Sequence, residues 1–172
     1  PVCPERLRRG GSGKPLPYRG VGLTVLGREE ALREIRRPRI LEVFLVSGMG
    51  FTWDGAHEHA DDLSPGLNNR LTERMAEMAG QPTRCPHGEP IPDRDGRLPV
   101  VNDVCVVNLG VGHRGSVSRV RTHEPAKLQY FASLGLVPGV AIEIMGRAPF
   151  NGPMRLRVGR EEVVIGLALI PI

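Results

Sequence analysis

His57 and Asp61 stand four residues apart in the run DGAHEHADDLSP, a spacing that places an imidazole and a carboxylate on one face if the segment is helical. Ser64 and Pro65 fall on that same face. Only the first two offer the imidazole or carboxylate donors that a divalent first-row metal takes. His59, two positions beyond His57, points roughly the other way and reads as solvated. Taken without further partners, His57 reads as an ordinary, partly exposed helix histidine. A second pair, Cys85 and His87 in TRCPHGEPIP, is a lone C-x-H among prolines. A structural zinc site needs a second pair of donors, so this segment reads as a rigid turn.

Catalytic groupings are missing from the sequence. It shows no nucleophile beside a base, no paired acids and no phosphate loop, since GGSGK lacks the full spacing and the closing Ser/Thr. An enzyme is therefore not expected. At 172 residues, 40% of them hydrophobic, the chain suffices for one ordinary domain or two small ones. The longest apolar stretch, Ile40 to Phe51, is interrupted by Glu42, Ser47 and two glycines and is too short to span a bilayer, so no membrane role is expected. Cys3, Cys85 and Cys105 form no CxxC pair and leave one over, which argues against a disulfide framework and for a reducing, cytoplasmic setting.

Charge is uneven. Residues 1–40 hold ten Lys/Arg against four Glu, whereas the rest of the chain is slightly acidic. A basic end before an acidic body suits nucleic-acid contact, although a solvated basic face explains a single charge run as well. Arg6, Arg8, Arg9, Lys14 and Arg19 are the candidates for holding phosphates, a contact that needs charge and reach rather than a helix register.

The elements that would position these groups follow from local patterns. The first twenty residues, rich in proline and glycine, read as loop or broken helix. Thr24 is a candidate cap for a helix whose apolar face runs through Ala31, Leu32 and Ile35 and continues at Leu41, Phe44 and Leu45, with a kink or restart expected at Pro38. Glu42 on that second half reads as an ordinary surface glutamate. Trp53 is expected to pack the start of the next helix, capped by Asp54 or Thr52, and Ser64-Pro65 or Asn68 to start a further one. In that third helix Leu67, Leu71, Met75 and Met78 form a stripe suited to core or dimer contact, ended by Gly80.

Beyond the proline-rich and charged run PIPDRDGRLP, which reads as a linker, the period changes to two. Alternation over 115–121, 140–144 and 154–158 predicts short strands, with one helix from Pro125 to Leu134 turning Leu128, Phe131 and Leu134 inward before Gly135. The fold class expected is α+β: a helical domain followed by a small β-barrel.

The run RRPRILEVFL, then WDGAHEHA, then CPHGEPIP resembles the diphtheria-toxin-repressor family of iron- and manganese-dependent transcriptional repressors, and LGLVPG followed by PFNGP resembles the FeoA-type barrel that many members carry at the carboxyl end. The resemblance implies a metal-dependent DNA-binding regulator, a homodimer on an operator with Fe2+ or Mn2+ as cofactor. Carried over by position, Glu42, His57 and Asp61 fall on metal-ligand positions and Glu124 on a carboxylate that the barrel lends to an outer site, while Pro38, Ser64 and Pro65 replace ligands and Lys127 replaces an amide. The expected domains are 1–27, a truncated remnant of the winged helix; 28–90, the helical metal-binding and dimerisation domain; 91–99, a linker; and 100–172, the FeoA-like barrel. The rival expectation, motivated by Pro1, Pro4 and the replaced ligands, is a non-sensing dimeric interaction module without DNA binding.

Overall fold

The computed structural model describes residues 13–16, 20–150 and 152–166. A short antiparallel ribbon comes first, β1 (Gly13–Leu16) with β2 (Gly20–Leu23). Three helices follow: α1 (Val25–Met49), α2 (Ala56–Leu63) and α3 (Asn69–Met78). The second half is an antiparallel sheet in the order β3 (Arg114–Ser116), β4 (Ala141–Arg147), β5 (Met154–Val158) and β6 (Glu161–Ile165), with α4 (Pro125–Ser133) inserted between β3 and β4. The α+β class expected from the sequence is the class observed.

The caps form where the sequence places them, because a cap is a contact between near neighbours in the chain. Thr24 accepts from the Gly27 amide at 3.1 Å, and Asn68 accepts from the Leu71 amide at 2.9 Å. Asn68, not Ser64, starts α3; Ser64 and Pro65 instead form a single 3-10 turn that closes α2. Neither Thr52 nor Asp54 caps α2, and the Asp54 carboxylate accepts from Gln129 of α4 at 3.0 Å. Trp53 packs against the core of the sheet.

The expected restart at Pro38 does not occur. α1 is one helix of 25 residues through the proline, at the cost of one backbone hydrogen bond. Contacts on both sides of Pro38 hold it. Just ahead, buried Arg36 grips Glu73 of α3 with two parallel bonds of 2.8 and 2.9 Å and donates to the Pro92 carbonyl at 2.6 Å. Just behind, Ile40, Leu41 and Leu45 enter a core with Ala56, Ala60, Met75, Ala76, Cys85 and Ile91. The buried stripe thus includes two charged residues, Arg36 and Glu42, each with its own partner, while Ile35 stays exposed. On α3, Met75 is buried but Leu71 and Met78 face outward.

In the second half, Val106, Val117, Val120, Leu128, Phe131 and Leu136 join the inward residues of β4, β5 and β6 in a separate core. Of the alternating run over 115–121, only its first residues pair in the sheet. The chain then turns away, and the Val120 amide donates to the carbonyl of His87 at 2.8 Å. That bond fastens the sheet module to the CPHG turn of the helical body. Among the described residues, no helix is long and apolar enough to cross a membrane.

Glu73 gives this architecture a measurable pH signature. The hydrogen bonds from Arg36, opposed by burial and aided by the charges of Arg36 and Arg94, hold its carboxyl below the ordinary value of 4.5. Its contribution is therefore complete above that value and lost as pH falls through the lower folded value. Glu73→Gln should cost about 2–3 kcal/mol near neutral pH by stranding Arg36. Urea unfolding followed from about pH 6 to about pH 3 should show the wild type losing more stability than the variant, so that the two converge.

Candidate metal centre

Glu42 sits on the inward face of α1 at 2% exposure. A carboxylate in that position needs compensation, since an unpaired buried charge costs several kcal/mol or more. Its two oxygens meet different partners. Oε1 lies 2.5 Å from His57 Nδ1 on α2, and Oε2 faces His87 Nδ1 at 3.6 Å. Cys85, buried beside them, completes a set in which the Glu42, Cys85 and His87 donor atoms all lie within 4.8 Å of one another.

The turn that delivers Cys85 and His87 is built for close approach. The Cys85 amide donates to the Glu89 carbonyl and the Gly88 amide to the Cys85 carbonyl, at 2.9 and 2.8 Å. Gly88 has φ +86, and a Cβ there would stand 2.1 Å from the carbonyl oxygen of Ser118. Only glycine fits. Below the turn, Glu89 is held by Arg119 at 3.2 Å and Arg39 of α1 at 3.5 Å, and Arg119 also meets Asp103 at 2.9 Å. Helical body and sheet module are thereby joined at the donors themselves.

His87 is wholly buried, and its Nε2 lies 2.8 Å from the Trp53 carbonyl. A carbonyl only accepts, so Nε2 carries the proton and the Nδ1 of the neutral ring presents a lone pair. That lone pair and Glu42 Oε2 have no hydrogen-bond partner. Two buried acceptors facing each other at 3.6 Å call for a cation between them. The spacing fits, because donors at about 2.1 Å from one tetrahedral ion lie roughly 3.4 Å apart. Burial, and then the Glu42 charge, push the Cys85 thiol up to about 12, so it binds a metal only by giving up its proton as the ion arrives. Burial also works to raise Glu42, but hydrogen bonding, that from His57 included, outweighs it and holds the carboxyl below its ordinary value.

The positions singled out in the sequence fare unequally. Glu42 and His57 are in contact, and Asp61 Oδ2 stands 3.4 Å from His57 Nε2 on the exposed side. Glu124 is not brought in. Its carboxylate meets Lys127 at 2.6 Å, one turn along α4, where the lysine is the nearer and cheaper partner. The preceding residue, His123, stacks on His57 with ring centroids 3.9 Å apart, and burial, followed by the charge of His57, lowers its pKa. Arg6, Arg8, Arg9 and Arg19 lie outside the described residues, as does the side chain of Lys14. Cys85, His87 and His123 are the residues that reading the sequence for ligands misses. The glycine after CPH was the available signal, since it permits the close packing that buries the pair.

Both halves of the chain resemble known proteins. Residues 24–93 match the family described as iron dependent repressor, metal binding and dimerisation domain, and residues 105–169 match the FeoA domain. A solved manganese-dependent transcriptional repressor in complex with manganese is 32% identical, covering 96% of this chain and 78% of that one, with a TM-score of 0.88. The chain belongs to the iron- and manganese-dependent repressor family. A second structure, also titled manganese-dependent transcriptional repressor, is 33% identical with a TM-score of 0.83 and coverage of 96% and 87%. The iron-dependent repressor IdeR of Mycobacterium tuberculosis is 29% identical over 173 aligned residues, 94% of this chain and 75% of that protein. The relatives compared are repressors rather than enzymes.

Gly88 provides a direct check on the docked turn. Gly88→Ala should lower stability by at least about 2 kcal/mol, because the added carbon meets backbone that cannot retreat. Gly66→Ala, where an added Cβ meets nothing within 4 Å, should stay within about 0.5 kcal/mol of wild type. Thermal and urea unfolding of the two variants distinguish these outcomes.

Proposed function

We propose that this chain is a metal-responsive DNA-binding transcriptional regulator whose divalent ion, Fe2+ or Mn2+, is taken up by Glu42, Cys85 and His87. The single observation that carries the reading is the pair of unpartnered buried acceptors, Glu42 Oε2 and His87 Nδ1, with the Cys85 thiol beside them. The ion supplies positive charge between Glu42 Oε2 and His87 Nδ1, two acceptors that face each other. Cys85 and His87 provide donors even though Pro38, Ser64 and Pro65 offer none comparable.

The domain division supporting this role is 1–27 for the DNA-binding segment, 28–90 for the helical body, 91–99 for the linker and 100–172 for the FeoA-like module. Exposed Leu71 and Met78 on α3 favour pairing of two chains through the helical body. Glu42 belongs to α1, and the CPHG turn is bonded to the sheet module, so an ion shared by both favours one arrangement of the three parts. Metal then acts through its different affinity for two states of the protein, and the preferred state binds the operator. Arg6, Arg8, Arg9, Lys14 and Arg19 are the phosphate contacts in this reading.

Calorimetric titration with Mn(II), Fe(II) and Co(II) should give saturable binding to wild type and loss of at least tenfold in affinity for Glu42→Ala and Cys85→Ser. Gel shifts at several salt concentrations should show metal-strengthened DNA binding that weakens steeply as salt rises. Metal-independent dimers with no DNA affinity would instead select an interaction module and remove the regulatory role.

A further inference from the structure

We propose that the helical body holds a second site, in the cavity between α1 and the first turn of α3, which binds a small oxyanion: phosphate, or a phosphoryl group on a small molecule. It shares no residue with the metal centre and stands independently of it.

Three observations carry it. The first is an orphaned donor. Arg37 Nε is buried and has no hydrogen-bond partner. A buried polar group in that condition points to an ion or water beside it, and Arg37 lines a cavity of about 160 Å³, far more than the roughly 10–15 Å³ that one water needs. The guanidinium is held in place from its other end, where Nη1 donates to Glu34 at 2.8 Å. Nη2 donates to Asn69 Oδ1 at 3.3 Å, a long bond that a better acceptor can replace. Nε and Nη2 are the fork with which arginine takes two oxygens of a phosphate at once.

The second is the balance of charge. Arg33, Arg36 and Arg94 line the same cavity, and Glu73 is the one carboxylate among its lining residues. Glu73 already accepts three N–H bonds, from Arg36 Nε and Nη2 and from Arg94 Nε. Glu77 meets Arg94 at 3.3 Å, so four arginines against Glu34, Glu73 and Glu77 leave one positive charge. That charge belongs to Arg33, which is exposed and has no ion-pair partner among the described residues. Glu29 and Glu30 stand one turn earlier on α1 and line the neighbouring cleft, not this cavity. A water would satisfy Arg37 Nε and leave Arg33 unmatched; an anion answers both.

The third is the start of α3. Asn68 caps the Leu71 amide, and the Thr72 amide donates to the Asn68 carbonyl, which leaves the Asn69 and Arg70 amides without a partner inside the helix. Asn69 lines the cavity, so the positive end of a ten-residue helix adds to the arginines there. An oxyanion seated among these groups ties α1 to α3 beside the Arg36 and Glu73 pair.

The test is nuclear magnetic resonance of the metal-free full chain, following the arginine Nε–H resonances during titration with inorganic phosphate at constant ionic strength. The Arg37 resonance should shift and saturate, whereas chloride should leave it in place. Arg33→Gln and Arg37→Lys should each weaken phosphate binding by about tenfold or more, since bonds between charged partners are the strong ones. Arg160→Gln, on the turn between β5 and β6, should leave the affinity unchanged. Glycerol 3-phosphate separates the two sources: whichever of it and inorganic phosphate saturates at the lower concentration is the kind of ligand the site takes. An Arg37 resonance that drifts linearly with either salt, or equal affinity in Arg33→Gln and Arg160→Gln, would overturn the site. So would a shift produced by duplex DNA and by neither small phosphate.

Discussion

The charge on Glu42 is the constraint around which this structure is arranged. A carboxylate on the inward face of a long helix has to be met by something positive or by hydrogen-bond donors. Here one oxygen is satisfied by His57 and the other is not. The second oxygen faces an imidazole whose proton is engaged elsewhere, with a thiol alongside that burial keeps neutral. Unsatisfied buried polar groups of this kind cost on the order of 1–3 kcal/mol each. The same groups become an advantage once a cation enters, which is how a metal can alter the preferred arrangement of a protein.

Coupling follows from where the donors are mounted. Glu42 is part of α1, the helix that also carries Arg36 and Arg39 into contacts with α3 and with Glu89. Cys85 and His87 ride on a turn whose glycine lies against Ser118 and whose histidine carbonyl accepts from Val120. A shift of the turn by the width of a methyl group would break both contacts. The donors, the helix and the sheet module are thus tied to a few rigid groups rather than to mobile loops.

Much of the fold was legible from the sequence wherever the determining contacts are local. The caps at Thr24 and Asn68, the helix from Pro125, and the strands over β4 and β5 each follow from residues a few positions apart. The restart expected at Pro38 did not appear, because the local penalty is outweighed by Arg36 reaching α3 and Pro92 and by Ile40 and Leu41 entering the core. The strand expected over 115–121 was cut short for a similar reason, since the Val120 amide finds its partner in the CPHG turn. The site was half legible. Glu42 and His57 were found by resemblance. Glu124 was not brought to them, because Lys127 is closer, and Cys85 and His87 read as a plain turn because their partner lies on a helix much earlier in the chain.

The most direct measurement is anomalous X-ray diffraction from crystals of the full chain grown with Co(II). One anomalous peak per chain is expected between Glu42, Cys85 and His87, about 2.0–2.3 Å from each donor. Crystals that bind cobalt only elsewhere, with Cys85 and His87 uninvolved, would contradict the assignment of this buried cluster as the metal centre.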